Sequence, residues 1–345
     1  MKALVTGGAG FIGSHLVDHL LAHGHEVVAL DNLSTGVATN LLAATDRPGF
    51  KFVRGSILDA PLVNDVVARC DTVFHLAAAV GVHTIVDRPV ESLRTNLHGT
   101  EIVLAAVARH GRRFLFASTS EIYGKNTADR LGENDDRILG SALKSRWSYA
   151  TAKALDELLT HCHWRDAGTP TVIVRPFNIV GPRQTGRYGM VLPNFVDQAL
   201  AGQPITVYGD GRQRRCFCSV TDLVPTLVAL IEQPRGYGQA VNVGGQEEVS
   251  IAELADRVRR GVGSASEVVY RPYEEVYGSG YEDMQRRVPD TTRARDLVGF
   301  RPTVELDELI AMVAESKRDR GVPSRAGGSG LPVELAGGEG RHIRF

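Results

Sequence analysis

The chain of 345 residues carries almost no net charge, since 39 Lys and Arg against 40 Asp and Glu leave −1 at neutral pH. That balance supplies no field to gather nucleic acid or an anionic membrane, so neither is expected as a partner. An anionic ligand must instead be held by local groups. The four cysteines, Cys70, Cys162, Cys216 and Cys218, form no CxxC pair, and free thiols in a reducing cytoplasm are the expectation. No apolar run approaches the ~18–20 residues a membrane span needs. The chain opens on the strand-like MKALVTG, and no signal peptide is expected ahead of it. Cys162 lies between His161 and His163, but neighbours on a helix point in different directions, and no metal site is expected there.

In the first half, short β-branched runs alternate with longer amphipathic segments. Strands are expected at Ala3–Thr6, Glu26–Leu30, Lys51–Arg54, Thr72–Leu76, Arg113–Ser118 and Thr171–Arg175, with helices at Gly13–Ala22, Val90–His110 and Tyr149–Ala167. This alternation predicts βαβ units and an α/β fold: a doubly wound, Rossmann-type parallel sheet with ligands outside the carboxyl ends of its strands. After Pro176 the pattern becomes irregular. A helix at Val220–Glu232 and a strand at Ala240–Val243 are expected to return to the main sheet, while Leu254–Arg260 and Leu306–Ala314 read as helices of a smaller α+β lobe. The expected division is 1–177 with 216–248 for a dinucleotide domain, and 178–215 with 249–315 for a substrate lobe. Residues 316–345, rich in Gly, Ser and Pro, read as a disordered tail.

TGGAGFIGSHL follows the first strand, with Gly7, Gly10 and Gly13 spaced G-x-x-G-x-x-G ahead of a helix. Glycines there allow a tight turn and close approach to a pyrophosphate, which a helix N-terminus attracts. Asp31 ends the second strand, where a carboxylate accepts hydrogen bonds from a ribose and repels a 2′-phosphate. No Arg or Lys follows in DNLSTG, so NAD is expected over NADP.

RWSYATAKALDELL places Tyr149 and Lys153 four apart, on one helix face. A hydroxyl that loses hydride must also lose its proton, and a tyrosinate can take it. A free Tyr titrates near ~10, so work at neutrality needs a fall of about three units, roughly 4 kcal/mol. A lysine and a positive nicotinamide ring are suitable sources of that field.

TGGAGFIG, Asp31, HLAAA at 75–79 and Tyr149-x-x-x-Lys153 together resemble the extended short-chain dehydrogenase/reductase family of nucleotide-sugar epimerases, dehydratases and decarboxylases, over about 1–315. The resemblance implies cofactor contacts from Gly7, Gly10, Phe11 and Ile12 in the first turn and from Asp31, Asn32, Ser34 and Gly36 after the second strand. It adds Ser56 and Ile57 after the third strand, Leu76, Ala77 and Ala78 after the fourth, and Ser118 against the nicotinamide with Tyr149 and Lys153. Thr119 would hydrogen-bond the reacting sugar hydroxyl beside Tyr149. Asn178 and Arg215 would hold diphosphate and sugar, with Arg287 near the same end. Val191, Asn194, Thr206 and Tyr208 would line the base and its ribose, UDP by resemblance. Family members commonly dimerise through the two helices expected here at 91–110 and 149–166, so a homodimer is expected.

FASTSEIYG at 116–124 bears on the reaction. All candidates begin by oxidising C4 of the sugar. A 4-epimerase needs only Tyr, Lys and Ser/Thr. A 4,6-dehydratase places Asp-Glu after the Thr, whereas this chain has Ser120 and Glu121. The Thr-Ser-Glu-x-Tyr run is similar to UDP-glucuronate decarboxylases, in which Ser and Glu face the C6 carboxylate and act in acid/base steps. In YGSGYEDMQRRVP, 277–289, Arg287 falls on an arginine implicated in decarboxylation and C5 protonation. The catalytic set is then Thr119, Ser120, Glu121, Tyr149, Lys153 and Arg287, and the product UDP-xylose or the 4-keto-pentose. Decarboxylases usually carry a Pro-containing loop after the fourth strand, where this chain reads AAAVGVHTIVDRP at 77–89. A UDP-sugar 4-epimerase is the alternative.

Overall fold

The computed structural model describes residues 1–79, 88–186, 190–277 and 282–321. Strand β1 (Lys2–Thr6) shows why the first half folds as a two-faced sheet: Ala3 and Val5 enter one core and Leu4 the other. Side chains alternate across a strand, so a run that is apolar at every position needs cover on both sides. Helix α1 (Phe11–Ala22) brings Leu16, Val17 and Leu20 to the first core, joined by Leu223, Leu227 and Ile231 of the helix Val220–Glu232. The second core is closed by Val63 and Val67 of Ala60–Ala68 and by Val103 and Val107 of Pro89–His110.

The remaining strands follow the same rule: β2 (Glu26–Asp31), β3 (Phe50–Arg54), β4 (Thr72–His75), β5 (Arg113–Ala117) and β6 (Thr171–Phe177). The sheet runs Ala240–Gly244, β6, β5, β4, β1, β2, β3, and every pairing is parallel. Chain order reverses between β1 and β4, which opens a crevice at the carboxyl ends of the strands. The expected Rossmann architecture is therefore present.

Beyond β6 the structure is more regular than the sequence suggests. Ile205–Tyr208 pairs in parallel with Val268–Arg271, and Arg214–Cys216 lies between antiparallel Glu248–Ser250 and parallel Arg286–Arg287. Strands this short carry too few residues for a visible alternation. Around them the helices Val191–Leu200, Ile251–Gly261 and Leu306–Gly321 bury a third core that includes Leu192, Phe195, Leu254, Leu309 and Ile310.

One expectation is corrected here. The last helix continues to Gly321, so the tail does not begin at 316. Lys317 Nζ bonds Asp197 Oδ1 at 2.6 Å and holds this turn on the lobe. Residues 322–345 lie outside the described residues, as do 80–87 of the 77–89 stretch and 278–281 of the 277–289 stretch.

Candidate active site

The β1–α1 turn has no room for side chains. A Cβ on Gly7, whose φ is +71°, would stand 2.9 Å from the Ala77 nitrogen, and one on Gly13 would stand 2.1 Å from the Gly7 oxygen. Gly10 caps α1 without a side-chain bond, so the first amides of the helix face the turn bare, as a phosphate requires. At the end of β2 the buried Asp31 accepts from Leu33 N at 2.8 Å and Ala9 N at 3.0 Å. Burial pushes its carboxyl up, and these two amides pull it back. A Cβ on Gly36 would meet the Asp31 oxygens at 2.8 and 2.9 Å, so glycine keeps that carboxylate approachable. This cradle fits a dinucleotide.

The other expected cofactor residues lie at the same sheet edge. Asn32 Oδ1 accepts from Ser34 N at 3.0 Å, and Ser56 Oγ from Leu58 N at 3.2 Å. Ile57 is buried against Gly99. After β4, Ala77 N donates to Thr6 Oγ1 at 3.2 Å, which fixes the Leu76–Ala78 backbone over the crevice. Thr6 Oγ1 in turn contacts His75 Nδ1 at 2.8 Å. Burial, with Lys153 adding, lowers His75 to about 3, so it is a neutral spacer here.

Tyr149 and Lys153 stand one turn apart on the helix Ser148–Ala167. Lys153 Nζ donates to Ala117 O at 2.9 Å and lies 4.4 Å from the Phe116 ring centroid. Burial lowers it to about 8, against Asp156 and Glu157, which favour its charged form. Burial pushes the Tyr149 phenol up, and the nearby Glu121 and Asp156 push the same way. Protein groups alone thus leave the phenol protonated at neutral pH.

The stretch after β5 sets four groups in different directions. The Ser118 hydroxyl donates to Glu157, on the Tyr149 helix. Thr119 Oγ1 accepts from Glu121 N at 3.2 Å, which leaves its hydroxyl hydrogen as a donor. Ser120 is buried. The Glu121 carboxylate takes Arg146 Nη1 at 2.7 Å and Arg287 Nη1 at 3.4 Å. Burial alone would raise it, but Arg146 and then Arg287 outweigh that and hold it at about 2.

Arg287 Nη2 donates to Asn178 Oδ1 at 2.6 Å, and Asn178 Nδ2 to Cys216 O at 2.7 Å. Arg287 sits beside Arg215 in parallel register. Burial lowers Arg287 to about 10, and Arg215 contributes. Arg215 spends its donors on Met284 O at 2.7 Å, Arg214 O at 2.9 Å and Asp283 Oδ2 at 3.3 Å. Glu121, Asn178, Arg215 and Arg287 are therefore one cluster. The proposed base-lining residues occupy another part of the lobe. Val191 opens its helix and Asn194 folds against Gly186. Thr206 is bonded to Gln198 through N, at 3.0 Å, and Oγ1, at 3.3 Å, while Tyr208 ends its strand.

Sequence reasoning missed Arg146, Asp283 and the Glu157–Arg175 pair. Arg146 and Asp283 lie in quoted stretches, RWSY and EDMQRR, but an arginine beside a tryptophan reads as an ordinary surface cation. Its partner is 25 residues away. His161 Nδ1 contacts Gly238 O at 2.9 Å.

A parallel Rossmann sheet, a bare glycine turn, a buried Asp at the end of β2 and a Tyr–Lys helix pair define a dinucleotide-dependent enzyme of the short-chain dehydrogenase/reductase type. The chain belongs to the NAD dependent epimerase/dehydratase family, whose model matches residues 3–244, and NAD is its cofactor. It is 40% identical, over 92% of its length, to a UDP-N-acetyl-alpha-D-glucosaminuronate decarboxylase of Bacillus cytotoxicus, 99% of which is covered. It is 34% identical to UDP-glucuronic acid decarboxylase 6 of Arabidopsis thaliana, over 94% of this chain and 91% of that protein. Among solved structures it is similar to UDP-glucose 4-epimerase of Thermotoga maritima, with TM-score 0.83 and 30% identity over 93% of this chain and 99% of that one.

Proposed function

We propose that the chain is an NAD-dependent decarboxylase of UDP-glucuronate that forms UDP-xylose or the UDP-4-keto-pentose. The observation that carries this reading is the Glu121 carboxylate held between Arg146 and Arg287 next to Thr119, an anion for which a 4-epimerase has no use. The two relatives above are named as decarboxylases of UDP-linked uronates, which supports the same reaction class.

Thr119 and Tyr149 hold the C4 hydroxyl, and Tyr149 accepts its proton. Held by the Gly7–Gly13 turn and Asp31, NAD would supply a hydride acceptor for C4 and a positive charge that favours the tyrosinate. With C4 a ketone, the C6 carboxylate is β to a carbonyl and the C5–C6 bond can break. Its electron pair passes into a C4–C5 enolate and CO₂ leaves. Thr119 and the protonated Tyr149 stabilise the enolate oxygen, Arg287 adds a cation, and C5 gains a proton from water, which gives the 4-keto-pentose; UDP-xylose would follow on return of the hydride to C4 and of the Tyr149 proton to the C4 oxygen.

A second reading concerns only C2. The relative at 40% identity has an acetamido group in its substrate's name, which favours UDP-N-acetylglucosaminuronate. Incubation of the enzyme and NAD with each sugar nucleotide, read by proton NMR, decides. Loss of C6 with pentose signals supports decarboxylation and identifies the C2 group. Conversion to the C4 epimer with C6 retained overturns it in favour of the epimerase.

The same reading divides the chain into an NAD unit, 1–177 with 216–248, and a nucleotide-sugar lobe built from 178–215 and 249–321, the end of the last helix. It includes a homodimer, supported by exposed Leu155 and Leu158 on the Tyr149 helix, 50% and 58% accessible. Leu158→Glu should then give a monomer by light scattering, and an unchanged mass excludes this face. A cytoplasmic location is supported by four unpaired cysteines. No described helix is long and apolar enough to cross a membrane. Fractionation of the producing cells tests the location: recovery with the membrane or outside the cell overturns it.

A further inference from the structure

Arg146 has no task in the reaction just described, yet it is 7% exposed and its charge points inward. It lies in the turn Ser145–Trp147 that leads into the Tyr149 helix. Nη1 donates to Glu121 Oε2 at 2.7 Å and Nη2 to Oε1 at 3.5 Å, a two-point grip on one carboxylate. Nη2 is also 3.6 Å from Asp283 Oδ1, and the guanidinium packs 5.2 Å from the Trp147 ring centroid. Asp283 in turn accepts from Arg215 and Tyr273. Arg146 therefore cannot swing away from Glu121 without abandoning two anions and an aromatic face.

The charged and titratable groups facing Glu121 come from every side. They are Arg146 from the turn, Arg287 from its strand, Arg215 from the neighbouring strand and Tyr149 from the helix. The closest contact is Arg146. We propose that Arg146 is a positioning residue that fixes Glu121 as a permanent anion at the end of β5, so that Glu121 serves carbon–carbon cleavage by charge and not as a proton donor. The proposal rests on the decarboxylase reading.

The chemistry favours this division. Cleavage moves negative charge from the C6 carboxylate toward the C4 oxygen, so a fixed anion near C6 opposes the starting state more than the transition state. The electron pair of C5–C6 enters the enolate, CO₂ departs, and water delivers the proton to C5. A Glu121 held at about 2 by its two arginines has no proton to give at neutral pH. Its partner's removal reverses this: the carboxyl stays buried with less compensation, takes up a proton, and the charge is lost.

The test compares wild type, Arg146→Lys and Arg146→Met, with NAD and either UDP-glucuronate or its 2-acetamido counterpart, from about pH 5 to about pH 9. CO₂ release gives kcat and KM. Arg146→Met should lower kcat roughly 100-fold at neutral pH with KM changed less than about threefold. Its acid limb should move upward, so that activity recovers as pH rises. Arg146→Lys should keep the charge and lose one bond, with a smaller shift in the same direction. Adding Glu121→Gln to Arg146→Met should cause no further loss at neutral pH. A uniformly depressed profile parallel to wild type, full activity in Arg146→Met, or additive losses in the double variant would each overturn the proposal. Should Arg146→Met fail to fold, an unshifted acid limb in Arg146→Lys overturns it alone. Failure of the decarboxylase reading looks different, because wild type then releases no CO₂ from either sugar.

Discussion

Arg175 holds Glu157 by two bonds, Nη2 to Oε2 at 2.6 Å and Nε to Oε1 at 2.9 Å, across the gap between β6 and the Tyr149 helix. The pair does not stand alone. Ser118 donates to Glu157, Arg175 Nη1 donates to the Tyr123 hydroxyl at 2.9 Å, and that hydroxyl donates to Asn242 Oδ1 at 2.7 Å. A buried network thus joins the end of β5, β6, the helix that carries Tyr149 and Lys153, and the edge strand. Because it links four elements, it ties the Tyr149 helix to the sheet.

Breaking this pair should be costly. Glu157→Ala leaves a buried guanidinium unpaired and should destabilise the fold by about 3–5 kcal/mol. Replacing both partners, as in Glu157→Leu with Arg175→Met, should cost less than either single change. Urea unfolding of Glu157→Leu, Arg175→Met and their double variant checks this, and a double variant that loses the sum of the two singles contradicts it.

Tyr149→Phe removes the proton acceptor and leaves the ring in place. Turnover should fall by about 100-fold or more, while NAD binding by calorimetry stays within error of wild type. Retained turnover would mean that another group takes the C4 proton.

Gly36→Ala tests the ribose corner. The added Cβ would meet both Asp31 oxygens below 3 Å, so the Asp31 carboxylate must shift and NAD affinity should drop at least about tenfold, about 1.4 kcal/mol. Asp31→Ser should lose NAD affinity but relax the rejection of NADP. Titration of both cofactors separates these effects.

Acid stability should carry the signature of Glu121. Its folded value of about 2 is below the ordinary carboxyl value of 4.5, so between these limits the unfolded chain binds the proton and the folded one does not. Its contribution is therefore complete above about pH 4.5 and lost as pH falls toward about 2. Compared with wild type, Glu121→Gln should show a shallower loss of melting temperature across that window. Identical slopes would show that Glu121 ionises in the fold as it does in the unfolded chain.

The sequence by itself determined the first half of this protein. Runs such as Ala3–Val5 and Phe114–Phe116 are apolar at successive positions because each strand faces two cores, and that pattern is local. The glycine turn and the Tyr149–Lys153 spacing are likewise local, since each depends on residues within one turn or one helix. The lobe was less legible. Ile205–Tyr208 and Arg214–Cys216 are strands only because distant segments pair with them. The last helix reaches Gly321 through a bond to a different helix. The ionic state of Glu121 also belongs to the tertiary structure. A carboxylate's charge is set by what surrounds it, and here Arg146 and Arg287 arrive from 25 and 166 residues away.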